Sequence, residues 1–211
     1  MQEWLKAKSI DDVQKFYEEK YLKDGVDAFR KTDWRFFFRI VEIFFPYLRP
    51  TDSILDCGSG GGHFLKGITE RSIAHPYLCG IELSPSACEA ANNLLKGSAY
   101  IINQNYINEV FPENSFDIVT CWGTIEHAMD IGSAFFRLAY YAKPGGLIMI
   151  NAPLEFEGCM NAIKGEKNQL NNERFATKDE WLSLFGKHLI PFYTEIIDDD
   201  LVMVFRKWVS P

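Results

Sequence analysis

The sequence of 211 residues contains no apolar run of the roughly 20 residues that a helix needs to cross a bilayer. Its most apolar early segment, 36–45, is far shorter and carries Arg39 and Glu42. We therefore predict an amphipathic helix there and no membrane span. Because no basic-then-apolar signal peptide opens the sequence, we also expect a cytoplasmic protein.

Basic residues are in deficit. Lysine and arginine number 22 against 29 aspartates and glutamates, which leaves a net charge of −7. Neutralising phosphates takes a basic face, so this balance argues against nucleic acid as a partner. We expect a small molecule instead, and the sequence leaves the oligomeric state open.

Cysteine and histidine are sparse, and neither has the spacing of metal ligands. The five cysteines form no Cys-x-x-Cys pair, which predicts reduced and buried thiols. The histidines are scattered along the chain, at His63, His75, His127 and His188. We therefore predict no metal site.

Short apolar runs alternate with helical segments from residue 53 onward. The apolar runs predict five strands, at 53–57, 77–82, 98–102, 116–121 and 147–151. The predicted helices between them lie at 63–71, 84–96 and 131–142. Strands that are apolar throughout are typical of a parallel sheet with helices on both faces. Two further runs, 191–197 and 201–208, flank a tight turn and predict a terminal antiparallel hairpin.

The flanking regions suggest a division into a cap and a core. The first 50 residues are predicted to be helical, with Ser9 and Asp12 in the positions of a helix start. We expect residues 1–50 to form a cap or lid over a core of residues 51–211. Within the core, segment 154–175 is long for a connection, which makes it a candidate substrate loop.

A glycine cluster follows the first predicted strand, in the segment Asp56-Cys57-Gly58-Ser59-Gly60-Gly61-Gly62. A glycine-rich turn between a strand and a helix lets the backbone approach a ligand and presents N–H groups at the positive helix end. Glu82 ends the next strand, where an acid can accept hydrogen bonds from both hydroxyls of a ribose. Together these features predict a ligand that contains a nucleoside.

The spacing discriminates between nucleoside cofactors. The dinucleotide fingerprint Gly-x-Gly-x-x-Gly needs a third glycine at the position that His63 occupies. Asp56 lies two residues before the first glycine, where its carboxylate would repel a pyrophosphate but suits a ligand with an ammonium and a sulfonium. An NAD(P)-dependent oxidoreductase is therefore the weaker alternative.

The pattern Asp-x-Gly-x-Gly-x-Gly at 56–62 resembles the signature of class I S-adenosylmethionine-dependent methyltransferases. Segments 112–119 and 122–127 resemble the fourth-strand region of the small-molecule group that includes quinone-biosynthesis and sugar methyltransferases, and 143–146 resembles the family's turn before strand 5. The resemblance covers about residues 50–208. It implies a doubly wound α/β fold with seven mostly parallel strands in the order 3-2-1-4-5-7-6, strand 7 antiparallel, and helices on both faces.

The resemblance also implies the cofactor S-adenosylmethionine and methyl transfer to an oxygen or nitrogen atom of a small molecule. It assigns to the cofactor Asp56, Cys57, Gly58, Ser59, Gly60, Gly62, Glu82, Leu83, Asn105, Tyr106, Trp122 and Gly123. The expected acceptor pocket comprises Tyr17, Tyr21, Trp34, Thr124 and His127. Asn105 stands where the family usually has an acid, and its amide oxygen can still accept from the adenine amine.

His127 supports two interpretations. As a catalytic residue it could take a proton from a substrate hydroxyl, and as a structural residue it would pack against the cofactor loop. Asp117 is expected to be structural. A non-catalytic partner subunit that binds S-adenosylmethionine stays open, since binding residues do not establish turnover. Nucleic-acid methylation is disfavoured because segment 122–125 lacks the Asn/Asp-Pro-Pro-aromatic motif of enzymes that flip a base.

Overall fold

The computed structural model describes residues 9–25, 34–71, 77–154, 177–185, 189–197 and 200–208, with the backbone alone for 34–38. The strands are β1 (Ser53–Cys57), β2 (Tyr77–Glu82), β3 (Tyr100–Asn103), β4 (Phe116–Cys121), β5 (Ala142–Pro153), β6 (Leu189–Ile197) and β7 (Asp200–Lys207). The helices are α1 (Ile10–Asp24), α2 (Trp34–Phe44), α3 (His63–Glu70), α4 (Pro85–Leu95), α5 (Ile131–Tyr141) and α6 (Lys178–Phe185). Short 3-10 turns cover Phe45–Tyr47 and Ile125–His127.

The seven strands form one sheet in the order β3-β2-β1-β4-β5-β7-β6. Neighbours from β3 to β5 pair in parallel, whereas β7 is antiparallel to both β5 and β6. The predicted strand order and the antiparallel seventh strand are therefore confirmed. The order reverses between β1 and β4, and in open α/β sheets a ligand binds beyond the carboxyl ends of the strands at such a reversal.

Apolar side chains on both faces of the sheet are buried by helices. One cluster joins the sheet to α5 and α6, through residues such as Leu138 and Trp181. The second joins the opposite face to α2, α3 and α4, through residues such as Phe44 and Leu65. Because each central strand contributes to both clusters, its sequence is apolar throughout. Helix α1 belongs to neither cluster and packs in two small ones near Leu83 and Ala87.

Helix starts follow the sequence signals closely. The Ser9 hydroxyl accepts from the Asp12 N–H at 3.3 Å, and the Asp12 carboxylate accepts from the Ser9 N–H at 3.0 Å. Thr177 and Glu180 make the same reciprocal pair before α6. These capping boxes satisfy N–H groups that a helix leaves without partners at its first turn.

Two strand boundaries differ from the prediction. Strand β5 begins at Ala142 rather than at 147, because Ala142 already pairs with Phe116; an irregular step with Gly145 at a φ of +78° follows before pairing with β4 resumes at Leu147. Strand β3 begins at Tyr100 rather than at 98, because the Ser98 hydroxyl donates to the carbonyl of Leu95 and closes the end of α4.

Asp117 lies at the end of the sheet opposite the glycine loop and has the structural role predicted for it. Its carboxylate accepts from the N–H and the hydroxyl of Ser53 and from the ammonium of Lys143, at 2.9, 2.7 and 2.8 Å. Burial acts to raise the pKa of Asp117, but these hydrogen bonds and the Lys143 charge lower it overall. The contacts join the starts of β1, β4 and β5.

Within the described residues, no helix is both long enough and apolar enough to cross a membrane. The same part of the chain holds no group of three histidine, cysteine or acidic side chains placed to bind a metal ion. Its four cysteines, Cys57, Cys79, Cys88 and Cys121, are buried free thiols, and Cys159 lies outside the described residues.

Candidate functional site

The glycine loop after β1 folds onto the end of β2. The N–H groups of Gly58 and Ser59 both donate to the carbonyl of Ile81, at 2.8 and 3.1 Å. Gly58, Gly60 and Gly62 have φ values of +73°, +51° and +80°, in the left-handed region that favours glycine. The pattern of alternate glycines is thus required by the backbone of the turn itself.

Glu82 fixes the middle of this loop from the end of β2. One carboxylate oxygen accepts from the Gly60 N–H at 2.8 Å, and the other accepts from the Ser84 N–H at 2.9 Å. The side chain is only 7% exposed, and this burial raises its pKa. We expected the loop N–H groups to face a ligand, and this was wrong for Gly58, Ser59 and Gly60, whose N–H groups bond within the protein.

This difference bears on the kind of ligand. A pyrophosphate is held by N–H donors at a glycine loop and helix N-terminus, whereas here the Gly58, Ser59 and Gly60 N–H groups are occupied and a carboxylate lies against the loop. A nucleoside with a cationic tail matches the arrangement better, because Glu82 can also accept from ribose hydroxyls and the glycines allow a close approach.

Asp56, at the end of β1, is the second buried acid of the site. It is 2% exposed, and its Oδ1 accepts from the Thr120 hydroxyl at 2.7 Å. Burial raises its pKa to about 7, and the negative charge of Glu82 adds to this, while the Thr120 hydrogen bond opposes it. A cation at this position would stabilise the ionised form of Asp56.

Helix α1 covers the same edge of the sheet. Gln14 donates to the carbonyl of Leu83 at 3.2 Å. The Glu18 carboxylate accepts from the Ser84 hydroxyl at 2.7 Å and from the Ser86 N–H at 3.0 Å, and it also bonds the Ser86 hydroxyl. Sequence reasoning missed Gln14 and Glu18, although the spacing of residues 14, 18 and 21 places them on one helix face.

Tyr21 and the glycine loop are in close contact. A Cβ atom on Gly60 would lie 2.6 Å from the Tyr21 hydroxyl oxygen, and the Gly61 N–H bonds that hydroxyl. Burial and the charge of Glu82 raise the pKa of the Tyr21 phenol. Tyr21, predicted to line the acceptor pocket, therefore lies at the loop predicted to hold the cofactor.

The turn after β4, at Gly123 and Thr124, borders the candidate site on the side of the glycine loop that faces β4 and β5. The Thr124 hydroxyl donates to the carbonyl of Gly58 at 3.2 Å, and a Cβ on Gly58 would lie 2.3 Å from the Thr124 methyl carbon. The Gly123 N–H donates to the Asn151 side chain at 2.6 Å. These contacts fix the turn relative to both the glycine loop and β5.

His127 lies between α1 and a buried acid. Its ring packs edge to face against Tyr17, with 5.9 Å between centroids, and its Nε2 lies 3.7 Å from an oxygen of Glu126. Burial lowers the pKa of His127 to about 4, so the imidazole is neutral at physiological pH.

Other predicted site residues are buried or already hydrogen-bonded within the protein. The Trp122 ring packs against Phe44 and Phe64 in the core, and its carbonyl accepts from the Thr124 hydroxyl. The side chains of Cys57 and Tyr106 are buried, and the Asn105 amide oxygen already accepts from the Ile107 N–H at 3.1 Å. The side chain of Trp34 and residues 155–175 of the predicted substrate loop lie outside the described residues.

A doubly wound sheet with this order, a glycine loop after β1 and an acid at the end of β2 define a Rossmann-like domain for a nucleoside-containing ligand. A family model for the methyltransferase domain matches residues 26–195. The chain belongs to this family, within the class I S-adenosylmethionine-dependent methyltransferases, and S-adenosylmethionine is the cofactor of the class.

Sequence identity to two individual curated relatives is below 30%. The chain is 29% identical over 123 residues to the ubiquinone biosynthesis O-methyltransferase of Azoarcus sp. The aligned region covers 56% of this chain and 52% of that protein. It is 26% identical over 144 residues to an uncharacterized methyltransferase of Schizosaccharomyces pombe. That aligned region covers 62% of this chain and 51% of that protein. The chain thus spans about half the length of these curated relatives.

The structure is similar to a chain of the complex between the Haloferax volcanii Trm112 methyltransferase activator and a methyltransferase. The TM-score is 0.78 at 14% identity, with 92% of this chain and 99% of that chain covered. At this identity the similarity supports the fold alone.

Proposed function

We propose that this domain transfers the methyl group of S-adenosylmethionine to an oxygen or nitrogen atom of a small molecule. The observation that carries the proposal is the pairing of two buried carboxylates, Asp56 and Glu82, with a glycine loop whose Gly58, Ser59 and Gly60 N–H groups bond within the protein. Such a site suits a ribose and a cationic tail and disfavours a pyrophosphate, which weighs against the NAD(P)-dependent alternative.

The residues present fit the cofactor. Glu82 would accept from the ribose hydroxyls, and Asp56 would face the cationic part of the ligand. Gly60 would allow close approach, and Asn105 would lie at the adenine. When bound, S-adenosylmethionine supplies a methyl group on a positively charged sulfur that leaves as a neutral thioether. The main tasks of the protein are then to align the acceptor and to exclude water.

The predicted cap (residues 1–50) and substrate loop (154–175) would exclude water from the site. Helix α1 already contacts both the glycine loop, through Tyr21, and the start of α4, through Glu18. In our proposal residues 1–50 close over the bound cofactor, and residues 154–175 complete the acceptor pocket.

His127 is proposed to orient the acceptor rather than to abstract its proton. A pKa of about 4 makes the imidazole a weak base for a hydroxyl group, whereas a neutral ring nitrogen can accept a hydrogen bond. Tyr17 packs against its ring and the Thr124 carbonyl accepts from its N–H, so both residues would contribute to the same wall.

Calorimetry and thermal unfolding with S-adenosylmethionine, S-adenosylhomocysteine and NADH test the cofactor assignment. At about 100 times its dissociation constant a ligand adds about 2.7 kcal/mol of stability. We expect both adenosyl compounds to stabilise the protein and NADH to have no effect, and transfer of a labelled methyl group to small acceptors should follow. Stabilisation by NADH alone would refute the proposal.

A second candidate is a domain that binds the cofactor but turns over only within a complex. Its support is the similarity to a chain that was solved with a methyltransferase activator. Tight cofactor binding with no transfer to any acceptor by the isolated chain would favour this candidate over the first.

A further inference from the structure

One polar residue interrupts the apolar face that β5 turns toward α2, α3 and α4. Leu147 and Met149 pack on that face, and alternation along a strand places Asn151 on it as well. Its partner across the ladder, Val202, packs in the same cluster, and Asn151 itself is only 2% exposed. A buried amide costs free energy unless it is hydrogen-bonded, whereas an apolar side chain would extend the core. Core packing alone therefore does not account for an asparagine here.

Both ends of the Asn151 amide are hydrogen-bonded. Its oxygen Oδ1 accepts from the Gly123 N–H at 2.6 Å, and its nitrogen Nδ2 donates to the Asp200 carboxylate at 3.0 Å. Asp200 begins β7 and pairs with Pro153, two residues after Asn151 on β5. Because an ionised carboxylate accepts but does not donate, Asp200 fixes which end of the amide faces Gly123. The two contacts thus require a donor and an acceptor on one short side chain.

The contact with Asn151 reaches the turn that packs on the glycine loop. Gly123 lies two residues beyond the end of β4, with a φ of +56°. The next residue, Thr124, donates its hydroxyl to the Gly58 carbonyl at 3.2 Å. A Cβ on Gly58 would lie 2.3 Å from the Thr124 methyl carbon, so the turn and the loop are already in close contact. A displacement of Gly123 would therefore be transmitted to the glycine loop.

We propose that Asn151 is a positioning residue for the cofactor site and that Asp200 anchors it. Asn151 holds the turn at Gly123 against the glycine loop, and it acts through Thr124 and Gly58 rather than by touching the ligand. The inference rests on the proposed function and adds a path from the start of β7 to the cofactor loop.

The consequence of losing Asn151 follows from the backbone group it satisfies. The Gly123 N–H would lack this acceptor, and a partly buried N–H without a partner costs more free energy than a hydrogen bond contributes on average. The turn would therefore rotate to bring the N–H to water. Thr124 would move with it, and the glycine loop would lose the surface against which it packs.

Calorimetry with S-adenosylhomocysteine measures the effect on the cofactor site. Asn151→Ala should weaken binding about tenfold, because a partly buried N–H loses its acceptor. Asp200→Ala should weaken binding about threefold, because Asn151 can still accept from Gly123 but its amide is no longer oriented. An affinity of Asn151→Ala within about twofold of wild type overturns the inference.

An exchange of the two side chains separates positioning from packing. In the double variant with Asn151→Asp and Asp200→Asn, the carboxylate at position 151 can accept both from Gly123 and from the amide at position 200. Both hydrogen bonds and the net charge are kept, so the affinity should return to within about threefold of wild type. A folded double variant that binds as weakly as Asn151→Ala overturns the role of the pair.

The Gly123 amide reports the contact directly. The dipeptide Trp-Gly occurs once in the chain, at Trp122-Gly123, so labelling the tryptophan carbonyl carbon and the glycine nitrogen gives one assigned magnetic resonance signal. In Asn151→Ala this amide proton should shift upfield and exchange with solvent at least about tenfold faster, and the double variant should restore both properties. A Gly123 signal that is unchanged in Asn151→Ala overturns the inference.

Ser53→Ala is the matched control, because it removes a hydroxyl that donates to Asp117 at 2.7 Å at the opposite end of the sheet. It should lose stability but keep the wild-type affinity and Gly123 signal. If S-adenosylhomocysteine does not stabilise the wild-type protein, the proposed function fails and the inference with it. If it binds wild type and Asn151→Ala equally, the inference fails alone. Should Asn151→Ala not fold, Asp200→Ala and the double variant decide by the same measurements.

Discussion

Asp56 is expected to make cofactor binding depend on pH. In the ligand-free protein its pKa is raised to about 7 by burial and by Glu82. A cationic ligand binds the ionised form, so binding must release the proton wherever Asp56 holds one. The affinity should therefore rise as the pH increases through the pKa of Asp56.

The size of the effect follows from the titration of one group. With a pKa of about 7, Asp56 is ionised in about a tenth of the molecules at about pH 6 and in about three quarters at about pH 7.5. The affinity should consequently rise about eightfold over this range. The amino group of the ligand, with a pKa near 8, stays mostly protonated and reduces the increase by about a quarter.

Calorimetry with S-adenosylhomocysteine in two buffers of different ionisation enthalpy measures both the affinity and the proton release. At about pH 6 nearly one proton should be released per ligand bound. Asp56→Asn should bind more weakly at the higher pH, without proton release and with a flat pH profile. Glu109→Gln, which alters a carboxylate paired with Arg137, should behave as wild type.

A wild-type affinity that is constant over this range, with no proton uptake or release, would refute the raised pKa and the placement of a cation near Asp56. An eightfold increase that persists in Asp56→Asn would instead transfer the effect to another group. Glu82 is then the first to test, because burial raises its pKa as well.

Three other changes have directions set by the structure. Gly60→Ala places a Cβ 2.6 Å from the Tyr21 hydroxyl at a φ of +51°, so calorimetry should show greatly weakened cofactor binding, and an unchanged affinity would contradict the site. Glu18→Gln should speed cofactor dissociation in stopped-flow measurements and cost about 1 kcal/mol of unfolding free energy, since the contacts of Glu18 to α4 weaken. His127 takes up its proton at about pH 4 when folded and at 6.5 when unfolded, so stability should fall by up to about 3 kcal/mol as pH drops through that window, and acid titration of His127→Gln should show a smaller loss.

The central sheet could be predicted because its strands carry apolar residues on both faces. Ile54 packs on one side and Leu55 on the other, so the run has no polar alternation and marks a strand buried between two helical layers. Boundaries were harder to predict. The Pro144-Gly145 step is typical of a turn, yet pairing with β4 begins before it, at Ala142, and this depends on a neighbour distant in sequence.

The cofactor side of the candidate site could be predicted better than the acceptor side. Asp56, the glycine loop and Glu82 follow strand ends, and parallel strand ends meet at one edge, so their proximity follows from topology. Whether the loop N–H groups face outward does not follow from topology, because it depends on where the Glu82 side chain points. Glu18 and Gln14 were missed because polar residues on an exposed helix usually indicate a solvated face.

Helix α1 makes few apolar contacts and is also held in place by polar contacts near the glycine loop. Its buried side chains form only two small clusters, and its polar contacts go to the start of α4 and to the glycine loop, through Gln14, Glu18 and Tyr21. Residues at the candidate cofactor site therefore contribute directly to the docking of α1. A ligand that orders those residues should also favour the docked helix, and by thermodynamic reciprocity the docked helix should favour the ligand.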